Sequence, residues 1–155
     1  DHSIGIEIHN PGHLHGYKKF SKNQISSLIR LLNHLLKKYK IRKENVLGHS
    51  DISPNRKKDP GEKFPWELLS KKNLCDWHNL KEEKIQKLRK IKLTISEEKT
   101  FFKNLYKIGY RNFKKLNFNK KNRQLIQAFQ RRFRQELING KIDKECFLIS
   151  KALIK

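Results

Sequence analysis

The sequence predicts an α/β fold, a partial mixed sheet with packed helices, followed by a small all-α domain of three helices. Apolar residues alternate with period two over residues 3–8 and recur at helical spacing over residues 22–39, and a short apolar run follows at residues 45–48. After residue 94 the apolar spacing is helical only. The predicted boundaries are 1–80 for the first unit, 81–93 for a linker and 94–155 for the second unit.

The first predicted strand has one apolar face. Ile4, Ile6 and Ile8 lie on that face, whereas Glu7 and His9 lie on the other. From the pattern alone, Glu7 is either a solvent-facing strand residue or a carboxylate directed into a cleft.

The strand is followed by an amphipathic helix. Ser21 and Gln24 form the pattern of a capping box, and the helical spacing then continues to about Tyr39. Val46 and Leu47 predict a second, buried strand that ends at a long loop. The order strand, helix, strand is typical of an α/β sandwich.

The long loop, residues 48–61, carries the polar groups of greatest chemical interest. It contains one imidazole (His49), two carboxylates (Asp51 and Asp59) and three consecutive cations. Zinc binds imidazole nitrogen and carboxylate oxygen, so His49 and Asp59 are able to supply two of the three protein ligands of a catalytic site. Lys57 would then lie beside the metal as a cation for developing negative charge. A surface loop whose carboxylates cap turns is the alternative.

The second unit begins with another capping box, formed by Thr94 and Glu97. Further helices are predicted at about residues 121–135 and from Asp143 onward. Large aromatic residues fall on the inward faces of these three helices and predict a small core. They are Phe101, Phe129, Phe133 and Phe147.

The composition restricts the classes of partner. The chain has 155 residues and a formal net charge of +22, which favours polyanions such as nucleic acid, or cell-wall polymers that carry free carboxylates. Cys75 and Cys146 form no metal or disulfide motif, and no apolar run is long enough to span a membrane. Because the chain starts with Asp1 at a predicted strand and contains no methionine, we expect it to be a fragment or a processed form.

The loop resembles a known family motif. Residues 48–54 (G-H-S-D-I-S-P), 56–61 (R-K-K-D-P-G) and 64–66 (F-P-W) are similar to the motif of the zinc-dependent type-2 N-acetylmuramoyl-L-alanine amidases. Residues 3–8 (S-I-G-I-E-I) are similar to a strand of the same family. The resemblance implies hydrolysis of the amide bond between N-acetylmuramic acid and L-alanine of peptidoglycan.

The resemblance also implies roles for four residues. His49 and Asp59 would bind Zn²⁺. Lys57 would stabilise the tetrahedral intermediate, and Glu7 would act as proton shuttle or water-orienting base. The third zinc ligand of the family is a histidine that we expect N-terminal to residue 1, which makes the chain an N-terminally truncated member. His9 and His2 are the alternatives for that ligand.

The second unit resembles the peptidoglycan-binding domain of the envelope branch of the family. The matching stretches are residues 128–133 (A-F-Q-R-R-F) and 139–143 (N-G-K-I-D). This resemblance implies a monomer in the bacterial cell envelope, periplasmic or associated with the outer membrane, with peptidoglycan or muropeptides as its partner.

Two other classes of function remain open at this point. The first is a non-catalytic peptidoglycan-binding remnant, which the absent third ligand favours. The second is a nucleic-acid-binding protein that uses the basic helix running from Lys120, Lys121 and Arg123 to Arg131, Arg132 and Arg134. Because Phe129 and Phe133 fall on the apolar face of that helix, we expect no nucleic acid partner.

Overall fold

The computed structural model describes residues 3–110 and 120–154, and within these ranges the regular structure is helical. Residues 111–119 of the predicted second unit, and His2, lie outside the described ranges. The described helices are α1 (Lys22–Tyr39), a 3₁₀ turn (Lys43–Asn45), α2 (His49–Ile52), α3 (Trp66–Lys71), α4 (Glu82–Gln86), α5 (Ile95–Ile108), α6 (Lys120–Phe133) and α7 (Lys144–Ala152).

The predicted α/β class is wrong, because the described residues contain no β-strand. Residues 3–9 have no regular secondary structure, and Ile6 and Ile8 pack against the core from there. Period-two alternation places one side of a segment on the core, but a strand also requires a hydrogen-bonded neighbour. Neither residues 3–8 nor residues 45–48 form such a ladder within the described chain.

Both predicted capping boxes are confirmed. At α1, the Ser21 hydroxyl accepts a hydrogen bond from the Gln24 N–H at 3.2 Å, and the Ser21 N–H donates to the Gln24 side chain at 2.9 Å. At α5, Thr94 and Glu97 make the same reciprocal pair. These bonds satisfy donors that the first turn of a helix leaves free, so they fix where each helix begins.

The first hydrophobic core lies between α1 and the region around α3. Ile25, Leu28 and Leu32 form the buried stripe of α1. They belong to one cluster with Phe64 and Leu69, and Leu69 is completely buried. Because Phe64 of this core comes shortly after residues 48–61, the C-terminal end of that loop is attached to the core.

The second core is built from the faces of α5, α6 and α7. Phe101, Phe129 and Leu125 are completely buried in it, and Phe129 meets Phe101 edge to face at a centroid distance of 5.4 Å. The segment predicted as a linker contributes Ile85 of α4, which is 5% exposed.

The predicted linker contacts the second unit through charge as well. Arg89 donates a hydrogen bond to Glu145 at 2.7 Å and a second one to Glu136 at 3.0 Å. Trp77 packs against both cores, which therefore adjoin at that residue. The boundaries at residues 80 and 94 stay a prediction.

Candidate active site

The loop that carries the candidate ligands is anchored at its start by Asp51. The Asp51 carboxylate accepts a hydrogen bond from the Gly48 N–H at 2.8 Å, and the Asp51 N–H donates to the Gly48 carbonyl at 3.0 Å. This reciprocal pair starts the short helix α2 at His49. His49 is thus the first residue of a defined turn, with 47% of its side chain exposed.

The loop folds back so that His49 meets Asp59. The Ser50 N–H donates a hydrogen bond to the Asp59 carbonyl at 2.9 Å, which brings the returning chain beside α2. His49 Nδ1 is in contact with Asp59 Oδ2. The Asp59 side chain is 54% exposed, so the pair is open to solvent.

Two glycines permit this close approach. A Cβ on Gly48 would lie 2.6 Å from Pro60 Cδ, and a Cβ on Gly61 would lie 2.5 Å from the Tyr17 hydroxyl oxygen. Gly61 also has a φ of +83°, which favours glycine. Both positions therefore need a residue without a side chain for the Asp59 turn to reach His49.

Tyr17 fixes the far side of the turn. Its hydroxyl donates a hydrogen bond to the Pro60 carbonyl at 2.6 Å and accepts one from the Lys63 N–H at 2.9 Å. Burial raises the pKa of Tyr17 to about 12, so the hydroxyl stays protonated and able to donate. The sequence alone does not predict these bonds, because the partners of Tyr17 lie more than 40 residues away along the chain.

His13 and Glu62 form an ion pair beside this turn, with His13 Nε2 at 3.0 Å from Glu62 Oε2. Burial raises the pKa of the Glu62 carboxyl, but the hydrogen bond to His13, a backbone hydrogen bond and the charges of His13 and Arg131 together outweigh it and leave the pKa below its ordinary value. Glu62 therefore carries a negative charge at neutral pH.

Glu7 and Lys57, the two predicted catalytic residues, are both exposed. Neither side chain makes a hydrogen bond or ion pair to a described residue. The Lys57 N–H donates to the Ser53 carbonyl at 2.9 Å, which places Lys57 in the loop after α2. The structure thus brings His49 and Asp59 together and leaves Glu7 and Lys57 with free side chains. The roles of all four stay predictions.

A buried polar cluster behind α2 escaped sequence reasoning. The second Asp51 oxygen, Oδ1, accepts a hydrogen bond from the Tyr110 hydroxyl at 2.6 Å. Arg132 of α6 donates to Asp51 Oδ2 at 2.8 Å and to the Val46 carbonyl at 3.0 Å. Its guanidinium also lies 3.9 Å from the ring centroid of Trp66.

The cluster is closed to water, since the side chains of Arg132 and Asp51 are 3% and 6% exposed. Burial lowers the pKa of Arg132, but its charge interactions with Asp51, Tyr110 and Cys75 and its hydrogen bond to Asp51 together overcome this effect, and the pKa stays above its ordinary value. Burial and the same carboxylate raise the pKa of Tyr110 well above its ordinary range. The sequence contains one indication of this burial, because Arg132 lies three residues after Phe129, a spacing that places it near the apolar face of α6.

The donor set fits two of the ligand positions that a catalytic zinc requires. An imidazole and a carboxylate are typical zinc ligands, and the side chains of His49 and Asp59 approach each other closely enough to share an ion. Among residues 3–110 and 120–154, no group of three or more candidate ligand side chains comes together. His9 is exposed in the N-terminal segment.

The N-terminal part of the chain matches a known protein family. Residues 1–62 match the family model described as N-acetylmuramoyl-L-alanine amidase. The candidate loop lies within this stretch up to its last residue. Over these residues the chain is similar to the N-acetylmuramoyl-L-alanine amidases.

Two curated amidases are similar to this chain. The chain is 33% identical over 160 aligned residues to the N-acetylmuramoyl-L-alanine amidase AmiD of Escherichia coli, covering all of this chain and 58% of AmiD. It is 44% identical over 68 residues to the 1,6-anhydro-N-acetylmuramyl-L-alanine amidase AmpD of Haemophilus influenzae, covering 43% of this chain and 35% of AmpD. The chain thus spans little more than half of the first relative and about a third of the second.

Solved structures give the same result. The structure of E. coli AmiD with the substrate anhydro-N-acetylmuramic acid-L-Ala-D-γ-Glu-L-Lys is similar with a TM-score of 0.74 and 32% identity, over 89% of this chain and 53% of AmiD. AmpDh3 of Pseudomonas aeruginosa in complex with anhydromuramic pentapeptide is similar with a TM-score of 0.73 and 26% identity, over 89% of this chain and 54% of AmpDh3.

Proposed function

We propose that this protein hydrolyses the amide bond between N-acetylmuramic acid and the L-alanine of the peptidoglycan stem peptide. The observation that carries the proposal is the meeting of His49 and Asp59 in a solvent-open loop, inside the stretch that matches the amidase family. Two similar proteins have been solved with muropeptides bound, and this chain is similar to both along most of its length.

His49 and Asp59 would hold the zinc ion through imidazole nitrogen and carboxylate oxygen. When bound, zinc lowers the pKa of a coordinated water and polarises the substrate carbonyl. The turn geometry supports this assignment, because the Ser50 N–H and Tyr17 fix the backbone on both sides of Asp59. A third protein ligand is required, and we propose that it comes from outside the described residues.

Glu7 would transfer the proton during the reaction, and Lys57 would stabilise the negative charge that develops on the substrate. The Glu7 carboxylate accepts a proton from the attacking water and passes it to the nitrogen of L-alanine as the C–N bond breaks. The Lys57 ammonium offers positive charge to the oxygen that becomes negative in the transition state. Neither side chain is engaged by a described residue, which leaves both free to meet a substrate.

We also propose that the helical second unit, residues 94–155, binds peptidoglycan. The resemblance of residues 128–133 and 139–143 to a wall-binding domain, and the net charge of +22 of the whole chain, support binding to the free carboxylates of stem peptides. A bacterial cell-envelope location and a monomeric state belong to the same proposal. No described helix has both the length and the apolar character to cross a bilayer.

A zinc titration combined with an amide-release assay tests the proposed site. We expect zinc to bind the wild-type chain with a Kd that His49→Ala and Asp59→Ala each raise at least about tenfold. Glu7→Ala should abolish release of stem peptide from purified sacculi while zinc still binds. Loss of zinc as well would make Glu7 a ligand and refute its proposed role.

A non-catalytic peptidoglycan-binding protein is the second candidate. It is favoured by the lack of any three-ligand group within the described residues. The full chain would then sediment with sacculi in the presence of a chelator, more weakly at high salt, and would release no peptide at any zinc concentration.

A nucleic-acid-binding role loses its main structural support. The arginines at the end of α6 and just after it are buried: Arg131, Arg132 and Arg134 are 6%, 3% and 4% exposed. Arg132 and Arg134 are also engaged in ion pairs with carboxylates. They therefore offer no free cationic surface to a phosphate backbone.

A further inference from the structure

We propose that Arg132 and Tyr110, which both lie within the predicted helical unit, are positioning residues that hold the metal-binding loop in its working geometry. They do so through Asp51. The helical unit would thus form part of the active-site framework in addition to binding the wall. The inference rests on the proposed metal site at His49.

The first step of the argument is the direction of the contacts. Arg132 reaches from the last turn of α6 to the carboxylate of Asp51 and to the Val46 carbonyl. Val46 lies before His49, whereas Asp51 lies within α2. One planar guanidinium therefore binds the chain on both sides of His49.

The second step is that Asp51 has its hydrogen bonds divided between the loop and the helical region. Oδ2 accepts from the Gly48 N–H and from Arg132, while Oδ1 accepts from the Tyr110 hydroxyl. The bond to Gly48 defines the start of α2. Moving the carboxylate would therefore move the backbone turn that carries the His49 imidazole.

The third step is that the cluster is enclosed and cannot be replaced by water. Arg132 and Asp51 are almost completely buried, and the guanidinium stacks on Trp66. In such surroundings a carboxylate that loses its partners must move or be left unsatisfied. The position of α2 is thus coupled to the position of α6, and the two helices are packed together.

A matched pair on the same stretch of chain provides the control. The side chain of Arg134, two residues after Arg132, is 1% exposed and donates to Asp143 at 2.6 Å and to Glu145 at 3.3 Å. This ion pair is buried to a similar degree, but it lies within the helical unit. Removing it should affect stability without a specific effect on α2.

The test compares Arg132→Met, Arg132→Lys, Tyr110→Phe and Arg134→Met in the full chain, with two readouts. The first is amide hydrogen exchange at Ser50 and Ser53, whose N–H groups donate to the Asp59 and His49 carbonyls. The second is the zinc Kd from competition with a chromophoric chelator, measured at a temperature at which every variant is folded by circular dichroism.

We expect Arg132→Met to accelerate exchange at Ser50 and Ser53 and to raise the zinc Kd, each by about tenfold or more, as supporting residues around metal ligands do. Arg132→Lys should recover part of both effects, because it keeps the charge beside Asp51. Arg134→Met should leave both readouts near wild type after correction for global stability. If Arg132→Met does not fold, Tyr110→Phe, which removes one hydroxyl, carries the test.

Equal changes in the Arg132 and Arg134 variants, or no change in either, would overturn the proposal. If the wild-type chain binds no zinc, the metal site itself fails. Hydrogen exchange then still decides whether α6 positions α2, so the two failures are distinguishable.

Discussion

Gly48 is the position where a single methyl group should disturb the candidate site most selectively. A Cβ there would lie 2.6 Å from Pro60 Cδ and 3.2 Å from Trp66 Cζ2. The φ of Gly48 is −89°, which any residue adopts, so Gly48→Ala tests the steric effect alone. Because Trp66 is only 4% exposed, the Asp59–Pro60 segment is the side that must move away from His49.

The expected cost follows from overpacking, which destabilises proteins by about 1–3 kcal/mol. For a chain of this size, that corresponds to a decrease in Tm of roughly 2–12 °C. Gly48→Ala should also weaken zinc binding, since it separates the two candidate ligands. Thermal unfolding followed by circular dichroism, with and without zinc, measures both effects.

Gly5→Ala is the matched control, because nothing lies within 4 Å of a Cβ at that position. Its free energy of unfolding should change by less than about 0.5 kcal/mol. If Gly48→Ala were as stable as Gly5→Ala and bound zinc as tightly as the wild type, then the close approach of the two loop ends would not hold the site together.

Three further predictions concern the cores. Burial raises the pKa of Cys75 to about 11 and that of Cys146 to about 12, so neither thiol should react with a maleimide at pH 7.5 until the chain is denatured. Burial also lowers the pKa of His78, so that near pH 6 the unfolded state binds a proton that the folded state does not. The free energy of unfolding should therefore fall as the pH drops below about 6.5, and it should fall less in His78→Gln. Urea titrations in the presence of a chelator measure both. Phe129→Ala should reduce the free energy of unfolding by about 3–5 kcal/mol in the same titration, whereas Leu14→Ala, at a position 91% exposed, should change it by less than about 0.5 kcal/mol.

Features that depend on neighbours in the chain were predictable from the sequence. The capping boxes at Ser21 and Thr94 require partners only three residues away, and both are present. The contact of His49 with Asp59, two residues of one loop, likewise depends on a short stretch of chain.

Features that depend on distant partners were not predictable. The alternation of Ile6 and Ile8 gives one buried side, but no residue spacing tells whether another strand pairs with them, and none does within the described residues. Arg132 illustrates the same limit, since its partner Asp51 lies 81 residues earlier in the chain. Arg132 lies three residues after the core residue Phe129, which places it near the apolar face of α6, but this spacing does not identify Asp51 as its partner.

The most direct test of the proposed function is mass spectrometry of a soluble anhydro-muropeptide incubated with the full chain and zinc. We expect two products from cleavage of a single bond: anhydro-N-acetylmuramic acid and a stem peptide with a free L-alanine amine. Their formation should stop with a chelator, and His49→Ala should form neither product. An intact muropeptide after incubation with a folded, zinc-loaded chain would contradict the amidase proposal, as would cleavage at any other bond.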